Sequence, residues 1–164
     1  MRKVISILMV VFVLWALSSD VLGQIWLEKI RQIKIFKSTV QDVKELFGNS
    51  DIERFESQSY YLKEGTLLVD FSSGNCASRQ KEGWDVPEGT VTRFSFSPTI
   101  KKSFSALNIS KKNLEKIYDE SYQIYVNDEE DVSYEVQQGK VWTIEYSPNS
   151  KYDYLKCKTT SKDK

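Results

Sequence analysis

The feature of this sequence that most constrains its fold is a short pattern that occurs twice. Residues 39–47 (TVQDVKELF) align with 110–118 (SKKNLEKIY), and residues 59–65 (SYYLKEG) align with 133–139 (SYEVQQG). Each copy continues into an alternating apolar run that ends in an acidic residue, an aromatic residue and a serine. Because a repeated pattern favours a repeated structural unit, we expect two units, over roughly residues 38–97 and 109–147.

Both copies begin with the pattern of an amphipathic helix. In the first copy Ser38 or Thr39 is placed to cap the helix, and Gly48 follows it as a left-handed cap. In the second copy Ser110 takes the capping position. The apolar stripes consist of Val40, Val43, Leu46 and Phe47 in the first copy, and of Leu114, Ile117 and Tyr118 in the second. The sequence therefore predicts one helix in each unit.

Strands follow both helices. Alternating residues flank two turns, at Lys63-Glu64-Gly65 and at Gln137-Gln138-Gly139, and further strands are predicted over 91–97 and 122–126. Neighbouring strands of this kind pair antiparallel, and the helices must cover one face of the sheet. The predicted fold class is therefore α+β, with two tandem helix-plus-antiparallel-strand units that form one curved sheet with helices on one face.

The first 23 residues have the pattern of a signal peptide. Arg2 and Lys3 precede an apolar run of 14 residues, which is shorter than the roughly 20 residues of a membrane span. We expect cleavage before Gln24, no stable membrane anchor after cleavage, and export to the periplasm or the medium. Residues 24–157 are predicted to form a single domain, and residues 158–164 a disordered tail.

Composition excludes several classes of function. The chain contains no His, which removes the usual general base near neutral pH and the commonest transition-metal ligand. Without Arg2, Lys3 and Asp20, 21 basic and 22 acidic residues remain, a balance unlike that of nucleic-acid binders. The sequence thus predicts no catalytic residues, no cofactor, no metal and no nucleic-acid partner.

Two features of the sequence leave alternatives open. Cys76 and Cys157 are the only cysteines, and export permits a disulfide between them, the alternative being two free thiols. The acidic run 128–131 is either a cation site with oxygen ligands or a solvated turn, and its spacing favours the turn. Asp70 and Glu145 occupy equivalent strand positions, so a carboxylate-based hydrolase is a further, weaker alternative.

Aromatic residues supply the candidate binding site. Trp84 lies in a loop off any periodic stripe, where it is either an exposed anchor or a ring folded back over the sheet edge. Tyr152 and Tyr154 form a second patch near the C-terminus. Most other rings, including Phe71, Trp142 and Tyr146, fall on periodic stripes and are predicted to lie in the core.

Several motifs resemble known families over roughly residues 33–157. The helix that ends in Leu46-Phe47-Gly48, with a Gly-turned hairpin after it, resembles the unit of outer-membrane-assembly lipoproteins of the SmpA/OmlA type. Two such units in tandem resemble the β-lactamase-inhibitor protein fold. Residues 83–91 (GWDVPEGTV) and 132–148 (VSYEVQQGKVWTIEYSP) also resemble a family of small uncharacterised exported bacterial proteins. The chain lacks the lipidated Cys that tethers the lipoproteins.

These resemblances imply a protein that binds other proteins and has no enzymatic activity. The first hypothesis is therefore an exported, non-enzymatic interaction module whose partner is another protein. The alternative is a protein that binds a carbohydrate or another small ligand through its loop aromatics.

Overall fold

The protein folds around one eight-stranded antiparallel sheet. The computed structural model describes residues 26–76, 83–118 and 122–157. The strands are β1 (Ile52–Arg54), β2 (Ser57–Leu62), β3 (Gly65–Phe71), β4 (Val91–Pro98), β5 (Glu115–Tyr118), β6 (Gln123–Asn127), β7 (Val132–Gln137) and β8 (Lys140–Tyr146). Their order across the sheet is β1-β2-β3-β4-β8-β7-β6-β5. Two four-stranded meanders thus join where β4 pairs antiparallel with β8, with Ser95 opposite Glu145.

The helices are few and short. Residues 26–30 are helical, α1 spans Val40–Phe47, and two 3-10 helices span Ser105–Leu107 and Ser150–Leu155. Thr39 caps α1 in a capping box with Asp42, in which each side chain accepts a hydrogen bond from the other residue's backbone N–H. No helix in the described ranges combines the length and the apolar composition that a membrane span requires.

The prediction of two tandem helix-plus-strand units is wrong. Residues 39–47 contain α1, but the aligned residues 110–118 form a turn and then β5, so the two copies differ in secondary structure. Ser110 accepts a hydrogen bond from the backbone N–H of Lys112 within this turn. The fold is therefore β-rich rather than two α+β units.

The physical reason is that the apolar residues of the second copy, Leu114, Ile117 and Tyr118, offer little surface for a helix to bury against a core. Ile117 pairs with Ile124 across β5 and β6 and remains 48% exposed on the outward face of the sheet. As a helix, these residues would need a core to cover, whereas as an edge strand they gain the backbone hydrogen bonds of β6. Helical spacing over three apolar residues was too weak a signal to decide between the two.

The two aligned caps should respond differently to substitution. Thr39→Ala removes the capping box of α1 and should lower the free energy of unfolding by about 1 kcal/mol. Ser110→Ala, the matched control, caps no helix and should change it by less than about 0.5 kcal/mol. Urea unfolding followed by circular dichroism measures both values. Equal losses in the two variants would contradict this assignment of α1 and β5.

The inward face of the sheet carries the core. Phe96 on β4 is fully buried and stacks on Trp26, with ring centroids 4.3 Å apart. Further apolar side chains from the N-terminal segment, which we define as residues 26–38, and from residues 104–109 cover the same face. A sheet with one covered face and one solvated face is the usual antiparallel arrangement.

Trp142 lies outside this core, contrary to the prediction. Val136 pairs with Val141 and Glu135 pairs with Thr143, so Trp142 is the extra residue of a β-bulge in β8. The bulge turns its side chain toward solvent, where it remains 41% exposed. A single inserted residue thus reversed the inward–outward alternation that the sequence pattern implied.

The outward face of the sheet is mostly polar at its centre. The row across it runs through Ser59, Leu68, Ser95, Glu145 and Ser133, which are paired from strand to strand. Hydroxyl and carboxylate groups bind water well and offer little apolar area to a partner. The aromatic clusters of the protein lie elsewhere.

Candidate functional site

A disulfide anchors the last described residues of the chain. Cys76 and Cys157 are bonded, with their Cα atoms 5.3 Å apart, which agrees with the first of the two alternatives that the sequence left open. We call residues 147–157 the C-terminal strap. The strap also pairs with residues 83–85. The Cys157 N–H donates to the Gly83 carbonyl (3.0 Å), and the Asp85 N–H donates to the Leu155 carbonyl (2.7 Å).

Two of the three predicted binding aromatics meet on a residue that was not predicted. The Phe36 ring lies 4.8 Å from the Trp84 ring and 5.0 Å from the Tyr152 ring, measured between centroids. Trp84 is half-buried and folded back onto the molecule, the second of the two alternatives stated above. Tyr154 is 76% exposed and makes no ring contact with this cluster in the described part of the chain.

Phe36, at the centre of the aromatic cluster, has an unfavourable backbone conformation. Its φ of 58° lies in the left-handed region, which bulky residues rarely adopt. Its N–H donates to the Val91 carbonyl at 2.8 Å, so the turn is fixed to β4. Packing of the ring between Trp84 and Tyr152 compensates for the backbone cost.

The acidic run 128–131 holds an internal cation. The Lys151 ammonium lies 2.6 Å from Asp131 Oδ1, and it donates to the carbonyls of Asp128 (3.3 Å) and Glu129 (3.2 Å). The Lys151 ammonium thus neutralises one carboxylate of the acidic run and uses two of its backbone carbonyls. No group of three potential metal ligands occurs in the described residues.

Asp131 also fixes Tyr152 at the same turn. The Tyr152 hydroxyl donates to Asp131 Oδ2 at 2.8 Å. Burial and this hydrogen bond raise the pKa of Tyr152 to about 12, because both favour the protonated phenol. Asp131 therefore joins the strap to the turn between β6 and β7 through two contacts. One is the ion pair with Lys151, and the other is the hydrogen bond from the Tyr152 hydroxyl.

The Tyr152 contact should stabilise the fold only while the phenol is protonated. The folded-state pKa lies above the ordinary value of 10.0, so the contribution is complete below about pH 10 and is lost as the pH rises toward 12. Tyr152→Phe should cost about 1 kcal/mol at pH 8, and the difference from the wild type should shrink between pH 10 and 12.

Urea unfolding at pH 8, 10 and 11.5 measures this difference. Tyr154→Phe is the matched control, since that ring is exposed, and its stability should follow the wild type at every pH. Equal stability of the wild type and Tyr152→Phe at pH 8 would show that the hydroxyl contact does not stabilise the protein, and an advantage that stays constant up to pH 12 would show that it does not depend on the protonated phenol.

A cleft lies between the N-terminal segment and the second meander. Its volume is about 750 Å³. Its lining comes from residues 31–37, the loop 108–114, the turn 127–131, Tyr134 of β7, Tyr146 of β8, and residues 151–152 of the strap. Tyr152 therefore belongs to both the aromatic cluster and the cleft.

Arg31, Tyr134 and Tyr146 converge in this cleft. Arg31 forms an ion pair with Glu28, in which Nη1 lies 3.0 Å from Oε1. Burial opposes the charge of Arg31, but Tyr146, Glu28 and Tyr134 together outweigh it and raise the pKa of the guanidinium. Burial raises the pKa of both tyrosines, so their hydroxyls stay protonated at neutral pH. These three residues thus contribute one guanidinium and two hydroxyl groups to a cleft that lysines also line.

A smaller cleft of about 390 Å³ borders the disulfide and Trp84. Asp70 lines it and pairs with Arg93, whose Nε lies 2.7 Å from Asp70 Oδ2. Glu145 lines neither cleft. Neither cleft in the described residues thus brings together the two carboxylates considered for hydrolysis.

The sequence analysis did not identify Arg31, Phe36 or Tyr134 as site residues, and it assigned Tyr146 to the core. The inward direction of both tyrosines was readable from the alternating strands, but both residues also line the cleft. A tyrosine on an apolar stripe near a strand end is therefore a signal for a polar group at the core boundary. Arg31 and Phe36 lie in turns without any periodic pattern.

No protein-family model, no curated protein and no solved structure matches this chain.

Proposed function

We propose that this protein is an exported, non-enzymatic interaction module that binds another protein in the larger cleft. The observation that carries the proposal is the construction of the cleft from four separate chain segments and two strands, with charged and hydroxyl groups along its walls. The predicted signal peptide and the Cys76–Cys157 disulfide support export, because disulfides persist in oxidising compartments.

The chemistry of the cleft favours a protein partner over an enclosed small molecule. Small-molecule sites are mostly apolar and bury most of the ligand surface. This cleft instead carries lysines at its rim, including Lys34, Lys37 and Lys112. Polar rims of this kind surround the anchoring side chains of protein interfaces. We therefore infer that a loop or side chain of a partner enters the cleft.

Blocking the cleft should abolish partner capture. Ser110→Trp places a large ring at an exposed lining position, whereas Ser95→Trp places the same ring on the outward face of the sheet. Each protein is immobilised and exposed to the exported fraction of its native cell. We expect one protein to be retained by the wild type and by Ser95→Trp, and to be lost with Ser110→Trp. If the wild type, Ser95→Trp and Ser110→Trp all retained the same partner protein, the proposal would be overturned.

Carbohydrate binding is the second candidate, and one observation now favours a different ring for it. Trp84 and Tyr152 pack on Phe36, which reduces the ring surface available to a sugar. Trp142 is 41% exposed, with the Lys101 ammonium 5.1 Å from its ring centroid. A sugar that stacks on Trp142 should change tryptophan fluorescence in the wild type but not in Trp142→Phe. No change across a panel of glycans would exclude this candidate.

A further inference from the structure

We propose that the larger cleft recognises a carboxylate group of the bound partner, held by the Arg31 guanidinium together with the hydroxyls of Tyr134 and Tyr146. This inference rests on the proposed function, because it names the chemistry that the partner presents to the same cleft. Two sources of the carboxylate are possible, an acidic side chain or a chain terminus, and the experiment below separates them.

Arg31 has donors to spare. Its contact with Glu28 uses Nη1, and both side chains of this pair are more than one-third exposed. An exposed pair of this kind contributes little to stability, so a second carboxylate meets little competition for the guanidinium. The planar guanidinium carries five N–H donors that match the geometry of a carboxylate.

Tyr134 supplies a hydroxyl that no described residue uses. The residue is 3% exposed overall, and its ring packs edge-on against Phe104. The hydroxyl itself is not a buried unpartnered atom, because Asp131 Oδ1 is the only such side-chain atom among the described residues. Since Tyr134 lines the cleft, its hydroxyl reaches the solvent there, and an acceptor that enters the cleft can replace water as its partner.

Tyr146 lines the same cleft as Arg31 and Tyr134. A phenol hydroxyl can donate a hydrogen bond to an acceptor that enters the cleft. One guanidinium and two phenol hydroxyls thus belong to the lining of one cleft, a set of groups suited to a negatively charged acceptor.

The remaining charges of the cleft favour a single negative charge. Asp131 is already paired with Lys151. Lys34, Lys37 and Lys112 attract an anion, whereas Glu129 and Glu130, which also line the cleft, repel one. Repulsion by two carboxylates grows with the charge of the ligand, which disfavours a doubly charged phosphate more than a carboxylate.

Small probes test the proposal directly. The probes are acetyl-glutamate methylamide, its glutamine counterpart, and acetyl-diglycine with a free or an amidated terminus. Nuclear magnetic resonance titrations of the full mature chain follow the Arg31 Nε–H and the tyrosine ring signals. We expect the carboxylate probes to shift these signals and to bind at least about tenfold more tightly than their amide counterparts. Which carboxylate binds more tightly identifies the source.

Variants assign the contact. Arg31→Gln should weaken the binding of the carboxylate probe by about tenfold or more. Tyr134→Phe, which keeps the ring, should weaken this binding by a smaller factor. Arg54→Gln on β1 is the matched control and should bind like the wild type. The thermal unfolding midpoint of each variant is recorded, and Tyr134→Phe decides the question if Arg31→Gln fails to fold.

Two results would overturn the inference. One is the absence of any shift with both carboxylate probes, and the other is an equal loss of binding in Arg54→Gln and Arg31→Gln. In either case the proposed function would still be supported if the wild type captured a partner protein that Ser110→Trp did not. A failure of this inference can therefore be distinguished from a failure of the proposed function.

Discussion

Replacing Phe96 with alanine is expected to lower the free energy of unfolding by about 3–5 kcal/mol. Phe96 is fully buried at the centre of the sheet and stacks on Trp26. Its Cζ lies only 2.6 Å from the position that a Cβ on Gly65 would take, so the ring also fills the space above that glycine. Truncation removes the ring and leaves a cavity between β3, β4 and the N-terminal segment.

Phe55→Ala provides the control for Phe96. Phe55 lies between β1 and β2 and is 83% exposed, so its truncation should change stability by less than about 0.5 kcal/mol. Urea unfolding followed by tryptophan fluorescence gives both values. A loss below about 1 kcal/mol for Phe96→Ala would mean that the stack on Trp26 is not part of the stable core.

Removing the disulfide is expected to have an effect of similar size. The bond joins residues that are 81 positions apart, and the chain-entropy model assigns such a loop about 4–5 kcal/mol of stabilisation. The double variant Cys76→Ser with Cys157→Ser removes both sulfurs and leaves no free thiol, since these are the only two cysteines. We expect a lower thermal midpoint in this variant than in the wild type.

A reductant separates the bond from the substitutions. Dithiothreitol should lower the wild-type midpoint to about that of the double variant, and it should leave the double variant unchanged. If dithiothreitol has no effect on the wild type although mass spectrometry shows two free thiols, the bond contributes nothing to stability.

Local signals predicted α1, the two glycine turns and strands β2 to β4, but not the short strand β1. Thr39, the apolar stripe of α1 and Gly48 marked the helix, and the structure places it at Val40–Phe47. The turns near Gly65 and Gly139 were found because such turns have a narrow residue preference, and Gln138 and Gly139 indeed adopt positive φ. The antiparallel pairing of neighbouring strands followed from the short connections.

Signals of the same kind failed where tertiary contacts decide. Residues 110–118 carry a helical spacing, yet pairing with β6 made residues 115–118 a strand. The bulge at Trp142 depends on the register between β7 and β8, which no residue of β8 reveals by itself. Local propensity is a weak prior, and sheet register overrides it.

The candidate site was the least predictable part. It depends on the pairing of β4 with β8, which unites the two meanders and cannot be inferred from adjacent segments. Sequence reasoning identified Tyr152 and Trp84 as unusual aromatics, but their meeting point at Phe36 required the path of the strap. Likewise, Lys151 reaches the acidic turn only because the disulfide and the strap fix its position.

The disulfide also determines how the molecule bears tension along its chain. The covalent ring that Cys76 and Cys157 close contains all the residues between them, and therefore strands β4 to β8. A pull between the two ends of the chain passes through the sulfur–sulfur bond and bypasses these five strands. Mechanical unravelling, for instance by a protease that grips a terminus and drags, is thereby confined to α1 and β1 to β3.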